Sequence, residues 1–196
     1  MLALEDVDDE DFIDNCEYLE DISDCDLEVF NNIENMCDKM LKNYSSVLLV
    51  KFNLMFPKSV IYPRDNLLFN EFIKRFTTNL RKHVNDISCF WIRTNDTDHH
   101  NHAYNVILMV NTFFIDDCHM IQMLAWKEWC STLGLPYRTP GIIDFCEMHL
   151  DRNRIMLDAT DIYYKKKCEE VFEMTYYLSK YYCRDTPRGI DKYGWY

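Results

Sequence analysis

Two short stretches of the chain, and the cations around them, carry side chains suited to chemistry. Tyr176-Tyr177-Leu178-Ser179-Lys180 lies in an amphipathic segment near the C-terminal end and sets a phenol three residues from an ammonium group. Positions i and i+3 of a helix share a face, so Tyr177 and Lys180 can address one substrate group. A phenol is a nucleophile once ionised, and its ordinary pKa of about 10 opposes this near neutral pH. A cation beside it favours the phenolate, or holds charge on a phosphate under attack. Tyr176 points about 100° away around the helix and is the alternative nucleophile.

The second stretch is His100-Asn101-His102, at the start of a strand-like run. Two imidazoles at this spacing fall on one face of an extended strand, which suits a divalent ion, with His99 or Asp98 as a third ligand. The alternative is a solvated polar loop at the strand entrance. Cations also flank the last helix: Arg152, Arg154, Lys165, Lys166 and Lys167 before or within its first turns, and Arg184, Arg188 and Lys192 after it. Bases stack on aromatic rings while cations follow phosphates, so this mixture suits a single strand of nucleic acid. Ordinary solubilising charge is the competing reading.

The elements that must position these groups follow from periodicity. Residues 46–56 (SVLLVKFNLMF) read as a strand ended by Pro57, and 66–84 as an amphipathic helix carrying Leu67, Leu68, Phe72, Ile73, Phe76 and Leu80. Strands follow at 88–93 and at 103–114, the second an almost continuous apolar run typical of a central strand. Then come a helix over 118–133 stopped by Gly134, a short strand near 141–148, a loop over 151–161 and a helix over 164–183. The segment from Arg184 to Tyr196 reads as a turn-rich tail. The order β-α-β-β-α-β-α predicts an α+β fold, a ferredoxin-like split-βαβ core with an added C-terminal helix.

Charge divides the chain differently. Its net charge is −12, yet residues 1–38 hold fifteen acids and no Lys or Arg, leaving 18 acids against 21 bases in the remainder. An acidic head on a mildly basic body suggests two separate jobs. The spacing of Phe12, Ile13, Cys16, Leu19 and Ile22, and of Leu27, Phe30, Ile33, Met36 and Met40, predicts two short helices. Ser23 or Asp24 is the expected N-cap of the second. Residues 1–43 are therefore read as an acidic helical extension and 44–196 as the α+β domain. The nine cysteines are widely spaced and form no C-x-x-C pair, so reduced, buried thiols are expected rather than a zinc site or disulfide framework. No run of about eighteen apolar residues suggests a membrane span, and the acidic N-terminus is unlike a secretion signal, so the cytoplasm is expected.

Over residues 46–196, order and motifs together resemble the replication initiators of filamentous phages (inoviruses) and the related YagK/YfjJ-type prophage proteins, of the HUH class of rolling-circle endonucleases. The residues that carry the resemblance are LLVKFNLMFP in the first strand, Trp91-Ile92-Arg93, and the apolar strand closing at Asn111. The Trp126/Trp129 helix, Tyr177-Leu178-Ser179-Lys180 and Lys192-Tyr193-Gly194 complete it.

The resemblance implies a DNA nickase. Two strand histidines and a third polar ligand would hold a divalent metal (Mg or Mn) that polarises a phosphate of single-stranded DNA, and Tyr177 would attack it with Lys180 alongside. Aligned back from Asn111, however, the His-apolar-His positions fall on Ala103, Tyr104 and Asn105, and the acid expected after the tryptophan strand falls on Thr94. Only the shifted register, His100 and His102, restores imidazoles. The expected function is therefore a phage or prophage replication-initiator-like protein that binds single-stranded DNA, with tyrosine nicking impaired. The alternative is a catalytically dead derivative whose acidic head engages a basic nucleic-acid-binding protein of host defence as an inhibitor or decoy.

Overall fold

In a computed structural model, residues 26–95, 101–111, 117–145, 154–180 and 188–196 are described. Among them are four helices and six strands: α1 (Leu27–Asn43), β1 (Ser46–Met55), α2 (Leu67–Leu80), β2 (Ile87–Asn95), β3 (His102–Asn111), α3 (Asp117–Leu133), β4 (Ile143–Asp144), β5 (Arg154–Asp158), α4 (Tyr164–Lys180) and β6 (Tyr193–Trp195). The strands form one sheet in the order β4-β1-β3-β2-β6, with β5 also on β1. Every pairing is antiparallel. The fold class is α+β, and β4-β1-β3-β2 with α2 and α3 is the split-βαβ order.

Successive strand residues point to opposite faces, so the sheet sorts its side chains by parity. Leu48, Val50, Phe52 and Leu54 of β1 join Tyr104, Val106, Leu108 and Val110 of β3 in a core beneath α2 and α3. Phe69, Phe72, Phe76 and Trp129 close it, with Phe69 stacked on Tyr104 at 4.0 Å. Trp129 is buried, and its indole N–H donates to Met55 O at 3.0 Å, so its polar atom is satisfied. The opposite parity, with Val47, Leu49, Phe90, Ile92, Ile107 and Met109, forms a second core beneath α1 and α4.

Helix α1 is thus a layer of the fold. Asp26 caps it, Oδ1 accepting from the backbone N–H groups of Glu28 and Val29. Asp26, rather than Ser23 or Asp24, serves because its carboxylate reaches the first free amides. Val29, Phe30, Ile33, Cys37 and Met40 are buried. The first expected head helix lies outside the described residues.

Two sequence expectations are corrected. The supposed loop over 151–161 contains β5, whose Leu157 and Ile155 pair with Val47 and Leu49 of β1. The supposed turn-rich tail contains β6, laid along β2 with Trp91 opposite Gly194. A Cβ on Gly194 would sit 2.9 Å from the Trp91 indole nitrogen, so only glycine lets β6 approach this closely. The strand expected near 141–148 is two residues long within the described chain, at Ile143–Asp144. Cys37, Cys89, Cys118, Cys130 and Cys168 are free and buried, as expected. No helix among the described residues is long and apolar enough to cross a membrane.

Candidate functional site

Helix α4 starts where Asp161 turns the chain after β5. Asp161 Oδ1 accepts from Tyr163 N at 2.9 Å, and Lys167 Nζ lies 2.6 Å from Asp161 Oδ2 and 2.9 Å from Met156 O. That hydrogen bond with Lys167 holds the Asp161 carboxyl below its usual range. Cys168, Val171, Phe172, Thr175 and Leu178 recur at helical spacing and are buried.

The helix lies antiparallel on α1. Asp26 N donates to Ser179 O at 3.3 Å at one end, and Phe30 meets Phe172 edge-on at 5.1 Å. Because β5 ends opposite Ser46, α4 begins near the start of β1. Tyr177 lies in the last turn of α4. It is 58% exposed with its ring edge-on to Tyr176 at 5.9 Å, and its phenol is open to solvent. The Lys180 side chain lies outside the described atoms.

On the face covered by α1 and α4 the sheet carries a polar row where β1 finishes. Asn105 pairs with Asn53, and Asn53 with Asp144, so these three side chains share one face. Asn105 Nδ2 donates to Thr94 Oγ1 at 3.3 Å. Ala103 has the same parity as Asn105. The positions that the resemblance assigns to metal binding therefore do lie on the tyrosine helix's face, but as alanine and an amide.

His102 has the other parity. It is buried among groups of the α2 and α3 face, edge-on to Phe56 at 4.8 Å, with Nε2 2.9 Å from Tyr104 Oη. Tyr104 Oη also donates to Asn66 Oδ1 at 2.9 Å, and Arg93 Nη1 donates to the same oxygen at 2.7 Å. An amide oxygen only accepts, so the single phenol proton points to Asn66 and His102 Nε2 carries the proton donated to Tyr104. Burial, and then the nearby Arg93 guanidinium, push the imidazole down to about 4. Burial also raises the Tyr104 phenol. Arg93 Nη2 donates to Arg64 O, and Asn66 Nδ2 to Asp191 O, so the network ties β2, β3, the start of α2 and the approach to β6 together.

His102 and Tyr177 thus belong to opposite faces, and the structure does not bring them together. Its neighbour Asn101 is engaged too, accepting from Tyr62 N and donating to Val60 O and Pro57 O. His100, with His99 and Asp98, lies outside the described residues. Among the described residues no three His, Cys, Asp or Glu side chains gather as a metal site. The described donors do not fit the implied Mg or Mn. Ala103 offers no donor, Asn105 and Asn53 offer weak neutral oxygens, Asp144 is the single carboxylate of the row, and His102 is turned away with its Nε2 occupied.

The expected basic set is also divided. Lys165 and Lys166 are exposed on the first turn of α4, twelve and eleven residues before Tyr177 and so roughly 17 Å along the axis. Lys167 is committed to Asp161. Arg154 stands on β5 with the parity opposite to Ile155 and acts on the Cys118 thiol of α3, on the other side of the sheet. Arg152 and Arg184 lie outside the described residues. Sequence reading missed the Arg93–Asn66–Tyr104–His102 network, whose signal was polar side chains at inward positions of apolar strands.

No curated protein and no solved structure matches the chain. One family does, and it takes in α1 and part of the acidic head that the motifs alone left unmatched: the chain matches the YagK/YfjJ C-terminal domain over residues 9–195 and belongs to that family.

Proposed function

We propose that the chain is a replication-initiator-like protein of the HUH class that binds single-stranded DNA in the cytoplasm of a bacterial host and no longer nicks it through a metal. The observation that carries this reading is the parity of β3. Asn105 and Ala103 face the helix of Tyr177, whereas His102 lies on the opposite side of the sheet, bonded to Tyr104. An exposed phenol on the helix layer that covers this face, and a polar row of Asn105, Asn53, Asp144 and Thr94 on the sheet, keep groups that donate to and accept from a nucleotide. Among the described residues the row keeps one carboxylate, Asp144, and neither strand imidazole, and losing metal polarisation removes several kcal/mol of transition-state stabilisation.

The test is binding of a fluorescent oligothymidylate and of a duplex of equal length to the full chain, across a range of salt concentrations. The reading predicts a preference for the single strand, with affinity falling as salt rises because phosphate contacts release counterions. Equal, salt-insensitive or absent binding of both would sink it. If binding is absent and the chain instead captures a basic nucleic-acid-binding protein, the decoy reading replaces it.

A further inference from the structure

The edge strand β6 presents an exposed indole, Trp195, beside Tyr193, which is half-buried against the core. The strand is firmly held: Tyr196 N donates to Cys89 O at 2.9 Å, Cys89 N to Tyr196 O at 3.0 Å, and Arg93 N to Lys192 O at 2.7 Å. Yet Trp195 at its end is 64% exposed, whereas Trp91 and Trp129 are buried. Its cross-strand partner is Phe90, and Tyr193, which pairs with Ile92, stacks on Phe90 with centroids 5.9 Å apart and planes inclined at 25°. Tyr193 and Trp195 therefore share one face, the same one over which α1 and α4 lie. Alternate residues of a strand are about 6.7 Å apart, which is twice the base-stacking distance of about 3.4 Å. In residues 188–196, Arg188 and Lys192 are cations and Asp191 is the one acid.

We propose that Tyr193 and Trp195 of β6 form a stacking platform for unpaired nucleobases, with Trp195 the principal ring. Resting on the single-strand reading above, it locates where the bases are held. Every base has a π-face, so the platform tolerates any sequence and favours single strands over duplexes, whose bases are already stacked. A rigid backbone ladder behind an open indole means that little order has to be gained on binding.

The experiment titrates oligothymidylate into the full chain and into Trp195→Ala and Trp195→Phe variants, reading both the anisotropy of a labelled strand and tryptophan emission. Removing a stacked ring is expected to weaken binding about 5- to 150-fold, with Trp195→Phe in between. The salt slope should stay unchanged, because no phosphate contact is lost. Emission quenching in the parent should largely disappear in Trp195→Ala. Parent-like affinity and quenching in Trp195→Ala, with DNA binding intact, would overturn the platform and leave the single-strand reading standing. Failure of the parent itself to bind would remove both. Self-association that Trp195→Ala abolishes, without an effect on DNA, would assign the ring to a protein contact and overturn the platform.

Discussion

The two faces of the sheet are built to different ends. Under α2 and α3 the core is aromatic and closed, and even its polar residues, Arg93, Asn66, Tyr104 and His102, bond chiefly to one another and to backbone carbonyls. Under α1 and α4 the apolar core gives way to Asn53, Asn105 and Thr94 at one end, with Tyr177 exposed on the covering helix. A single strand, β3, supplies both, and a step of one residue along it exchanges a structural histidine for a position facing the tyrosine helix. The histidine that looks most like a ligand in sequence therefore belongs to the face devoted to stability.

The largest expected contrast is in stability. Trp129→Ala should cost about 3–5 kcal/mol by denaturant unfolding, since it empties a buried indole site and frees Met55 O. Tyr177→Ala should stay within about 0.5 kcal/mol, as its ring is mostly in water. Comparable losses would mean that the faces are not divided as described.

Next comes the polar network. Asn66→Ala leaves the buried Arg93 guanidinium and the Tyr104 hydroxyl without their shared acceptor, a loss of about 3 kcal/mol. Thermal unfolding should show it, while an unchanged melting temperature would mean that water or another group replaces the amide at no cost.

His102 gives a pH signature. Its folded pKa of about 4 lies below the ordinary value of 6.5, so between these values the unfolded chain binds more protons than the folded one. The stability it contributes is complete above about pH 6.5 and is lost as pH falls toward 4, amounting to about 2 kcal/mol between pH 8 and pH 5. Comparison of the parent with His102→Asn over that range isolates this component from the carboxylates. Parallel pH profiles would mean that the imidazole is solvated or ligated elsewhere.

A smaller effect concerns the head. Removing residues 1–38 would strip buried residues of α1, so the informative deletion is 1–25, which takes away eleven acids and spares the Asp26 cap. Affinity for single-stranded DNA should rise on the order of tenfold at low salt and less at high salt. An unchanged affinity would show that the acids neither repel nor mimic the ligand.

The split-βαβ body was legible because β1, β3, α2, α3 and α4 carry long apolar patterns. Short elements were not. β5 has five residues and exists because β1 leaves an edge for Arg154–Asp158 to pair with, a tertiary fact invisible in its local sequence. β6 depends on Gly194 fitting against Trp91, which no spacing rule reports. At the site, Tyr177 could be placed on a helix from sequence. The face that helix covers could not, and without it the parity of His102 against Asn105 stayed undecided.

The most direct test of that separation is a covalent-adduct assay. The full chain is incubated with single-stranded oligonucleotides and Mg²⁺ or Mn²⁺, then resolved under denaturing conditions beside Tyr177→Phe and His102→Ala. With His102 on the opposite face and Ala103 and Asn105 in the ligand positions, the account predicts no adduct from any of the three proteins and retained DNA binding by the parent. A metal-dependent adduct in the parent that disappears in both variants would contradict it.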